Sequence, residues 1–338
     1  MKTKKVTRDS LLPGIMKDSA RANRAEFNFV WIFAIIAGIA ILILAVYGAV
    51  RVADTKRLQT DTEVAKEISI ITDPLQAGFG EGRFGKIIFR SETRVNNYCY
   101  DDEFGKNEIS VATRSRIGEE WSLAGGATSV HNKYIFSSPQ NSGKEYYVFS
   151  KPFEFPYKVA DLIFLTQKKY CFINTPDEIE NEILGLAVPN IAIENCTGEE
   201  DEVRVCFGAG GCSGRGVVVY GGCVSGCGGA GVWGEGFVLK DGERLEYVGS
   251  LMYGAIFSEK DIYDCNVKRL MYRTAKISEV FGDKADLMNA RECNTNLKAD
   301  LRLLGGLAMN ATAEDLMMLN DFVKQVEIKA DREVCGLW

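Results

Sequence analysis

Ten cysteines provide the clearest chemistry in the sequence, and all of them follow residue 98. An even number of cysteines on the oxidising side of a membrane is typical of a disulfide framework, because thiols there oxidise in pairs. The sequence alone leaves the pairing open. We therefore predict disulfide bonds among Cys99, Cys171, Cys196, Cys206, Cys212, Cys223, Cys227, Cys265, Cys293 and Cys335.

Four of these cysteines could instead bind zinc through their thiolates. Cys206, Cys212, Cys223 and Cys227 follow the spacing C-x5-C-x10-C-x3-C in and beside the glycine-rich segment 208–236. A zinc ribbon uses paired C-x2-C knuckles, which this spacing lacks. A phosphate-binding loop is disfavoured too, because no Lys-Ser/Thr pair follows the glycines. Two disulfides that cross-link a flexible loop are the favoured interpretation.

His131 is the only histidine in the chain. A Ser-His-Asp or Cys-His hydrolase would need it as its base, yet it lies within a predicted strand and beside no nucleophile motif. Acidic runs at 101–102 and 199–201 could supply the two carboxylates of a glycosidase, but 46 acidic residues make such runs common. We predict no catalytic, cofactor-binding or metal-binding residue and no cofactor.

Residues 27–50 form an uncharged, apolar run that fits a membrane span. The 24 residues extend about 36 Å as a helix, enough to cross a hydrocarbon core of ~30 Å. Trp31 and Tyr47 lie towards its two ends, where aromatic rings favour the membrane interface. A cleaved signal peptide fits poorly, because the basic leader and the apolar run are long and no small-x-small site follows. We predict an anchor.

Charge is distributed unevenly along the chain. Residues 1–26 carry seven basic and three acidic side chains, a net charge of +4. The whole chain has a net charge of −6 and the span has none, so the part after the span has a net charge of −10. The basic flank stays in the cytoplasm and places the C-terminal part outside the cell membrane. An acidic outer part lacks the basic footprint of nucleic-acid binding. We expect membrane lipid and either self-association or an envelope protein as partners, and no nucleic acid.

The hydrophobic periodicity after the span predicts an α+β fold. Its five regions are a cytoplasmic leader 1–26, a transmembrane helix 27–50, an amphipathic stalk helix 51–76, a β-rich extracytoplasmic head 77–250 and a C-terminal helical subdomain 251–338. The stalk is expected to end at Asp73-Pro74, because the residue before proline avoids the α region. Strands are predicted at 85–90, 108–112, 130–136, 145–150, 160–165, 170–173, 190–193, 202–207, 237–240 and 243–248.

Capping and turn signals predict where the remaining elements begin. Thr175 begins a capping box before a short helix that ends near residue 185. Ser258 is expected to cap a helix over 259–281, and Thr312 with Asp315 a later one. A further helix is predicted over 295–309, and Asp241-Gly242 is typical of a tight hairpin.

The sequence leaves the roles of two further features undecided. The aromatic segment 149–157 either packs in the core, which we favour, or forms a docking arm for a partner. Asn195 and Asn310 stand in N-x-Thr sequons, which makes both candidates for glycosylation.

The N-terminal organisation resembles that of archaeal type IV pilin-like proteins. The residues that carry the resemblance are 21–25, Glu26, the apolar run 27–50 and the stalk 60–75. It implies a helix that bundles in lipid, with Arg24 and Glu26 as candidate assembly residues. Segments 149–165 and 263–273 are also similar to uncharacterised membrane-anchored envelope proteins of small-genome archaea.

These features favour a non-enzymatic, single-pass cell-surface protein for adhesion or surface assembly, of pilin-like type. The first alternative is a membrane-tethered, carboxylate-dependent hydrolase, which would need a deep pocket with two converging carboxylates. The second is a receptor or subunit of a larger membrane complex.

Overall fold

The structure, a computed structural model, describes residues 29–76, 84–114, 120–199, 201–208, 216–222 and 234–338. These residues form a mixed α/β protein with an apolar N-terminal helix, a β-rich middle, C-terminal helices and disulfide bonds. The coarse fold class predicted from the sequence is therefore confirmed. The described residues divide into two units, one that ends at Val52 and one that begins at Ala53.

Helix α1 (Phe29–Gln76) is 48 residues long. Its part Val30–Ala53 is long and apolar enough to cross a membrane, with a mean hydropathy of 2.8 and no buried residue. The predicted end at Asp73-Pro74 is wrong, because the helix finishes two residues beyond the proline. The preference of a pre-proline residue for extended backbone is a bias, and the helix continues past Asp73-Pro74 to Gln76 in spite of it.

The part of α1 from Ala53 onwards belongs to the second unit and packs against its first sheet. Asp61, Ala65 and Ile68 share one helix face and are buried, as the i, i+4, i+7 spacing of an amphipathic helix requires. The Ser122 hydroxyl donates to Asp61 Oδ2 at 2.7 Å. A Cβ on Gly125 would lie 2.7 Å from the Thr62 nitrogen, so the close approach of this loop to the helix depends on the glycine.

Six strands form the first sheet in the order β3-β2-β1-β5-β6-β4. They are β1 (Phe84–Tyr100), β2 (Lys106–Thr113), β3 (Thr128–His131), β4 (Tyr134–Phe136), β5 (Gln140–Glu154) and β6 (Lys158–Thr166). The single strand predicted over 130–136 is wrong. Asn132 takes a positive φ of 56°, and this left-handed residue separates β3 from β4 because an extended strand cannot include it.

The first sheet curls so that its two edges approach each other. Strands β3 and β4 are consecutive in the chain but lie at opposite edges. Asn97 on β1 donates to the Ile135 carbonyl on β4 at 3.1 Å, and the Ile135 N–H donates to Asn107 on β2 at 3.3 Å. The enclosed face holds an apolar cluster that includes Val95, Ile109 and, from α1, Ile68.

A second sheet of mixed direction has the order β12-β11-β10-β9-β7-β8. Its strands are β7 (Lys169–Ile173), β8 (Ile191–Ile193), β9 (Glu202–Phe207), β10 (Val217–Gly222), β11 (Glu235–Lys240) and β12 (Glu243–Val248). Asp241 and Gly242 both have positive φ, which is the backbone of a type I′ turn, so the predicted tight hairpin is confirmed.

Helix α2 (Asp177–Leu186) connects β7 to β8, and four helical segments follow the second sheet. These are α3 (Leu251–Phe257), α4 (Lys260–Asn289), α5 (Lys298–Ala308) and α6 (Leu316–Ala330), the last preceded by a 3-10 turn (Ala313–Asp315). They share one large apolar cluster with both sheets. Thr312 and Asp315 form the predicted capping box.

Two predicted helix caps are wrong. Pro176 occupies the N-cap position of α2 without a side-chain cap bond, and the Thr175 hydroxyl has no hydrogen-bond partner among the described residues. Glu259 is the N-cap residue of α4. Ser258 instead donates its hydroxyl back to the Gly254 carbonyl at 2.6 Å, and so satisfies the end of α3.

The aromatic segment 149–157 lies in the core. Phe149, Phe153, Phe155 and Tyr157 are each at most 3% exposed. Phe149 contacts Phe164 with ring centroids 4.8 Å apart. Each such buried side chain contributes about 2–3 kcal/mol. The alternative of an exposed docking arm is therefore wrong, and core packing is confirmed.

Candidate functional site

A cleft with charged walls opens on the second unit and has a volume of 680 Å³. Its lining combines cations and anions from the β6–β7 turn, β9, the β11–β12 hairpin and the start of α4. The charged residues are Lys168, Lys169, Glu199, Asp201, Glu202, Lys240, Asp241 and Glu259. Such a mixture could serve acid–base chemistry only if some of these groups are unengaged.

Lys240 is the most deeply placed cation of the cleft. Burial lowers the pKa of Lys240, and Glu259 at 3.4 Å acts in the opposite direction. Its ammonium donates to the Ser258 carbonyl at 2.9 Å and to the Ile256 carbonyl at 3.5 Å. These are carbonyls at the C-terminal end of α3, so Lys240 stabilises the end of a helix rather than activating a ligand.

Three carboxylates of the cleft, those of Glu199, Glu202 and Glu259, are engaged in structure as well. Glu199 pairs with Lys169 at 2.6 Å, and Glu259 accepts from Ser138 at 3.2 Å. Partial desolvation raises the pKa of Glu202, but donors from Gly198 and Thr197 outweigh it and hold the pKa below its ordinary value. A glycosidase acid needs a raised pKa, and the pKa of Glu202 is shifted in the opposite direction, so Glu202 gives no support to the hydrolase alternative.

An exposed aromatic face lies on the outside of the first sheet. It consists of Tyr98 and Tyr100 on β1 and Phe104 in the β1–β2 turn, which are 48%, 45% and 40% exposed. Phe104 packs edge-on against Tyr272 of α4, with ring centroids 5.0 Å apart. The Lys106 ammonium lies 5.2 Å from the Tyr100 ring centroid. Exposed aromatic side chains close together on a surface are candidates for an interaction site.

The turn that presents Phe104 depends on a glycine. Gly105 has a φ of 53°, and a Cβ there would lie 2.0 Å from the Tyr100 carbonyl oxygen and 2.9 Å from Arg269 Cδ. Its N–H donates to the Asp102 carbonyl at 2.8 Å and closes the turn. The Phe104 carbonyl consequently accepts from Arg269 Nε at 2.9 Å. The aromatic face is thus fixed to the interior of the protein.

Arg269 of α4 is a fully buried cation. Its guanidinium donates to Asn107 Oδ1 at 2.6 Å, to Asn266 Oδ1 at 2.8 Å and to the Lys133 carbonyl at 3.0 Å. It also lies over the Tyr134 ring at 4.7 Å. Burial lowers the pKa of Arg269 to about 10. The acceptors are neutral, so this charge is hydrogen-bonded without being neutralised.

Three disulfides are formed among the described residues: Cys99–Cys265, Cys171–Cys196 and Cys293–Cys335. The first joins β1 to α4, the second joins β7 to the loop after β8, and the third joins the two ends of the α5–α6 segment. In the chain-entropy treatment, closing loops of 166, 25 and 42 residues stabilises the fold by about 5, 3.5 and 4 kcal/mol.

Cys206 is also disulfide-bonded, which removes one thiolate from the alternative of a four-cysteine zinc site. Cys212, Cys223 and Cys227 lie outside the described residues. Cys171, Cys196 and Glu202 come within 4.8 Å of one another, but both sulfurs belong to the same disulfide and are poor metal ligands.

Other residues singled out in the sequence occupy scattered positions. His131 is exposed at the end of β3, in a depression of 310 Å³ shared with Tyr100. Asn195 and Asn310 are exposed, which leaves their glycosylation a prediction. Arg24 and Glu26 lie outside the described residues.

The acidic run 101–102 has a structural role. Asp101 pairs with Lys268 at 2.7 Å, a contact that lowers the pKa of its carboxyl. The Asp102 carbonyl closes the β1–β2 turn. Asp201 is exposed in the charged cleft, and Glu200 lies outside the described residues.

Sequence reasoning missed the Arg269 network. The only local signal is that Cys265 precedes Arg269 by four residues, which places both on one face of a helix. Its acceptors Phe104, Asn107 and Lys133 are far away in sequence, so no pattern along the chain could bring them together.

No family model, curated protein or solved structure matches this chain.

Proposed function

We propose that the chain is a single-pass membrane protein whose residues 53–338 lie outside the cytoplasm and serve adhesion or surface assembly, in the manner of pilin-like proteins. The observation that carries the proposal is that α1 continues without a break from its apolar part to residues buried in the second unit. A segment that is 24 residues long, has a mean hydropathy of 2.8 and is not buried requires lipid or another protein to cover it.

The continuity of α1 also favours an anchor over a cleaved signal. Asp61, Ala65 and Ile68 belong to the same helix as the apolar part and help to fill the enclosed face of the first sheet. Removing a leader near the end of the apolar part would cut one helix in two and expose its new end. A signal peptide is normally followed by an extended, accessible cleavage site.

The disulfides support the outside location. Each described cysteine is oxidised, and structural disulfides persist in oxidising compartments and are rare in the cytosol. The basic leader favours the same topology through the positive-inside rule.

The aromatic face supports assembly with further copies of the chain. Anchors held in one membrane raise the effective concentration of the outer units, so weak contacts through Tyr98, Tyr100 and Phe104 become populated. The test uses the full chain in its membrane, with chemical cross-linking followed by mass determination. Wild type is expected to give cross-linked dimers and larger species.

A matched pair of variants makes this test specific. Replacing Tyr98, Tyr100 and Phe104 by Ser should abolish cross-linked species, whereas Leu303→Ser with Leu307→Ser on α5, also exposed apolar positions, should leave them unchanged. Loss in both variants, or in neither, would refute assembly through the aromatic face. Cross-linking to one different envelope protein would favour the receptor or subunit alternative.

A further inference from the structure

The disulfide between Cys99 and Cys265 lies against an unneutralised positive charge. Arg269 Nη1 is 3.9 Å from Cys99 Sγ, and the guanidinium is fully buried among neutral acceptors. No ion pair within the described residues includes Arg269. The Asp101 carboxylate interacts electrostatically with Arg269, but its ion pair is with Lys268.

Reduction of this bridge would supply the missing anion. A disulfide is neutral, whereas a reduced cysteine beside a guanidinium loses its proton easily, because the cation stabilises the thiolate. Asn266 Oδ1 lies 3.6 Å from Cys99 Sγ and opposes a negative charge there. That oxygen already accepts from Arg269 at 2.8 Å, which weakens its effect. Stabilising the reduced form makes a disulfide more oxidising and easier to reduce.

We propose that Cys99–Cys265 is a redox-active bridge that exchanges with an external dithiol, with Cys265 as the attacked sulfur and Cys99 as the leaving thiolate. An external thiolate attacks Cys265 Sγ, the S–S bond breaks, and Cys99 keeps the electron pair beside Arg269. The mixed disulfide joins Cys265 to the first sulfur of the dithiol. The second thiolate of the dithiol then attacks that first sulfur. Cys265 leaves and takes up a proton, and the dithiol departs as a disulfide.

The exchange would act as a reversible covalent lock between two elements. Cys99 stands on β1 between the exposed Tyr98 and Tyr100, and Cys265 stands on α4 one turn before Arg269. Both cysteines are half-buried, and the proposal requires a small thiol to reach the Cys265 sulfur. Opening the bridge removes the covalent link between α4 and the strand that carries Tyr98 and Tyr100, while the hydrogen bonds of Arg269 still hold α4 to the β1–β2 turn and to β2.

The structure offers an internal reference for the test. Cys293 and Cys335 are also half-buried and bonded to each other, and neither sulfur has a guanidinium within hydrogen-bonding distance among the described residues. The full-length protein in detergent is equilibrated with graded dithiothreitol at neutral pH. Free thiols are trapped with N-ethylmaleimide, and each cysteine is quantified by tryptic mass spectrometry.

We expect Cys99 and Cys265 to become reduced at dithiothreitol concentrations about tenfold lower than Cys293 and Cys335. With glutathione in place of dithiothreitol, the mixed disulfide should form on Cys265. Equal or later reduction of Cys99–Cys265, or glutathione mainly on Cys99, would overturn the proposal.

Two variants separate charge from packing. Asn107→Asp places a carboxylate against Arg269, neutralises its charge and keeps the size of the side chain. It should remove the tenfold difference in the dithiothreitol concentration at which the two disulfides are reduced. It should also raise the pKa of the Cys99 thiol. That pKa is measured from the pH dependence of alkylation in the Cys265→Ser background. Arg269→Lys keeps the charge and should retain most of the difference. An unchanged thiol pKa in Asn107→Asp would contradict the proposal even if Arg269→Lys fails to fold.

Discussion

At the scale of single residues, Arg269 connects three parts of the protein that lie far from it in the sequence. It bonds to β2 through Asn107, to the β1–β2 turn through Phe104 and to the β3–β4 turn through Lys133. A buried cation without a counterion is costly, and four good acceptors with a tyrosine ring offset that cost. Removing the side chain leaves the acceptors unsatisfied in the interior.

We expect Arg269→Met to lower the free energy of unfolding by about 3 kcal/mol, because several buried carbonyl oxygens lose their donor. Thermal unfolding followed by circular dichroism measures the change. Arg302→Met on the exposed side of α5 is the control and should have little effect. Equal stability of the two variants would contradict a structural role for the network.

Neighbouring glycines in α5 provide a second test at this scale. A Cβ on Gly305 would lie 3.3 Å from the Ala275 carbonyl oxygen of α4, whereas a Cβ on Gly306 would meet no atom of the described residues within 4 Å. Gly306→Ala should stabilise the protein by about 0.5–1 kcal/mol through helix propensity. Gly305→Ala should be less stable than Gly306→Ala by at least about 1 kcal/mol. Equal melting temperatures would show that α4 and α5 are not closely packed there.

At the scale of elements, periodicity predicted the α1 stalk and α4 to α6, helices with one side facing solvent. It missed β10, because the glycines around that strand are typical of a loop. Helix α3 was missed, because all seven of its residues are buried and a helix that is apolar on every side shows no periodicity. The second half of β1 was missed because Thr93 and Asn97 point inwards and hide the alternation.

The packing of α1 against the first sheet makes a direct prediction for Ile68, which is 1% exposed. Ile68→Asp should lower the free energy of unfolding by more than about 4 kcal/mol, because it buries a carboxylate among apolar side chains. Gln59→Asp, at an exposed position of the same helix, is the matched control. Unfolding in urea with the full chain in detergent measures both, and a similar effect in each would refute burial of this face.

At the scale of the whole molecule, buried tyrosines make stability depend on alkaline pH. Burial raises the pKa of Tyr170 to about 12. It also raises the pKa of Tyr134, Tyr146, Tyr157, Tyr247, Tyr253 and Tyr263. An exposed tyrosine in the unfolded chain titrates near pH 10. The folded state therefore holds protons that the unfolded state releases.

The sign of this linkage follows directly. The contribution of each buried tyrosine is complete below about pH 10 and is lost as pH rises through the folded-state pKa. We expect the melting temperature to fall steeply above about pH 10, together with a late, cooperative rise of tyrosinate absorbance. A gradual tyrosinate titration centred near pH 10 with no loss of structure would contradict the burial of these rings.

The whole-molecule arrangement could be predicted only in part. The order of an apolar helix, a β-rich region and C-terminal helices follows from composition and periodicity. The curl of the first sheet, with β4 beside β6, and the disulfide that joins β1 to α4 depend on contacts between distant residues. Ten cysteines permit many pairings, so the sequence could predict oxidation but not partners.

The central claim is that residues 53–338 lie outside the cytoplasm on a membrane anchor. The measurement that tests it most directly uses epitope tags at the two ends of the full chain, probed with antibodies on intact and permeabilised cells. We predict that the C-terminal tag is labelled on intact cells and that the N-terminal tag is labelled only after permeabilisation. Labelling of the N-terminal tag alone on intact cells, or release of the whole chain into the soluble fraction, would contradict the proposed topology.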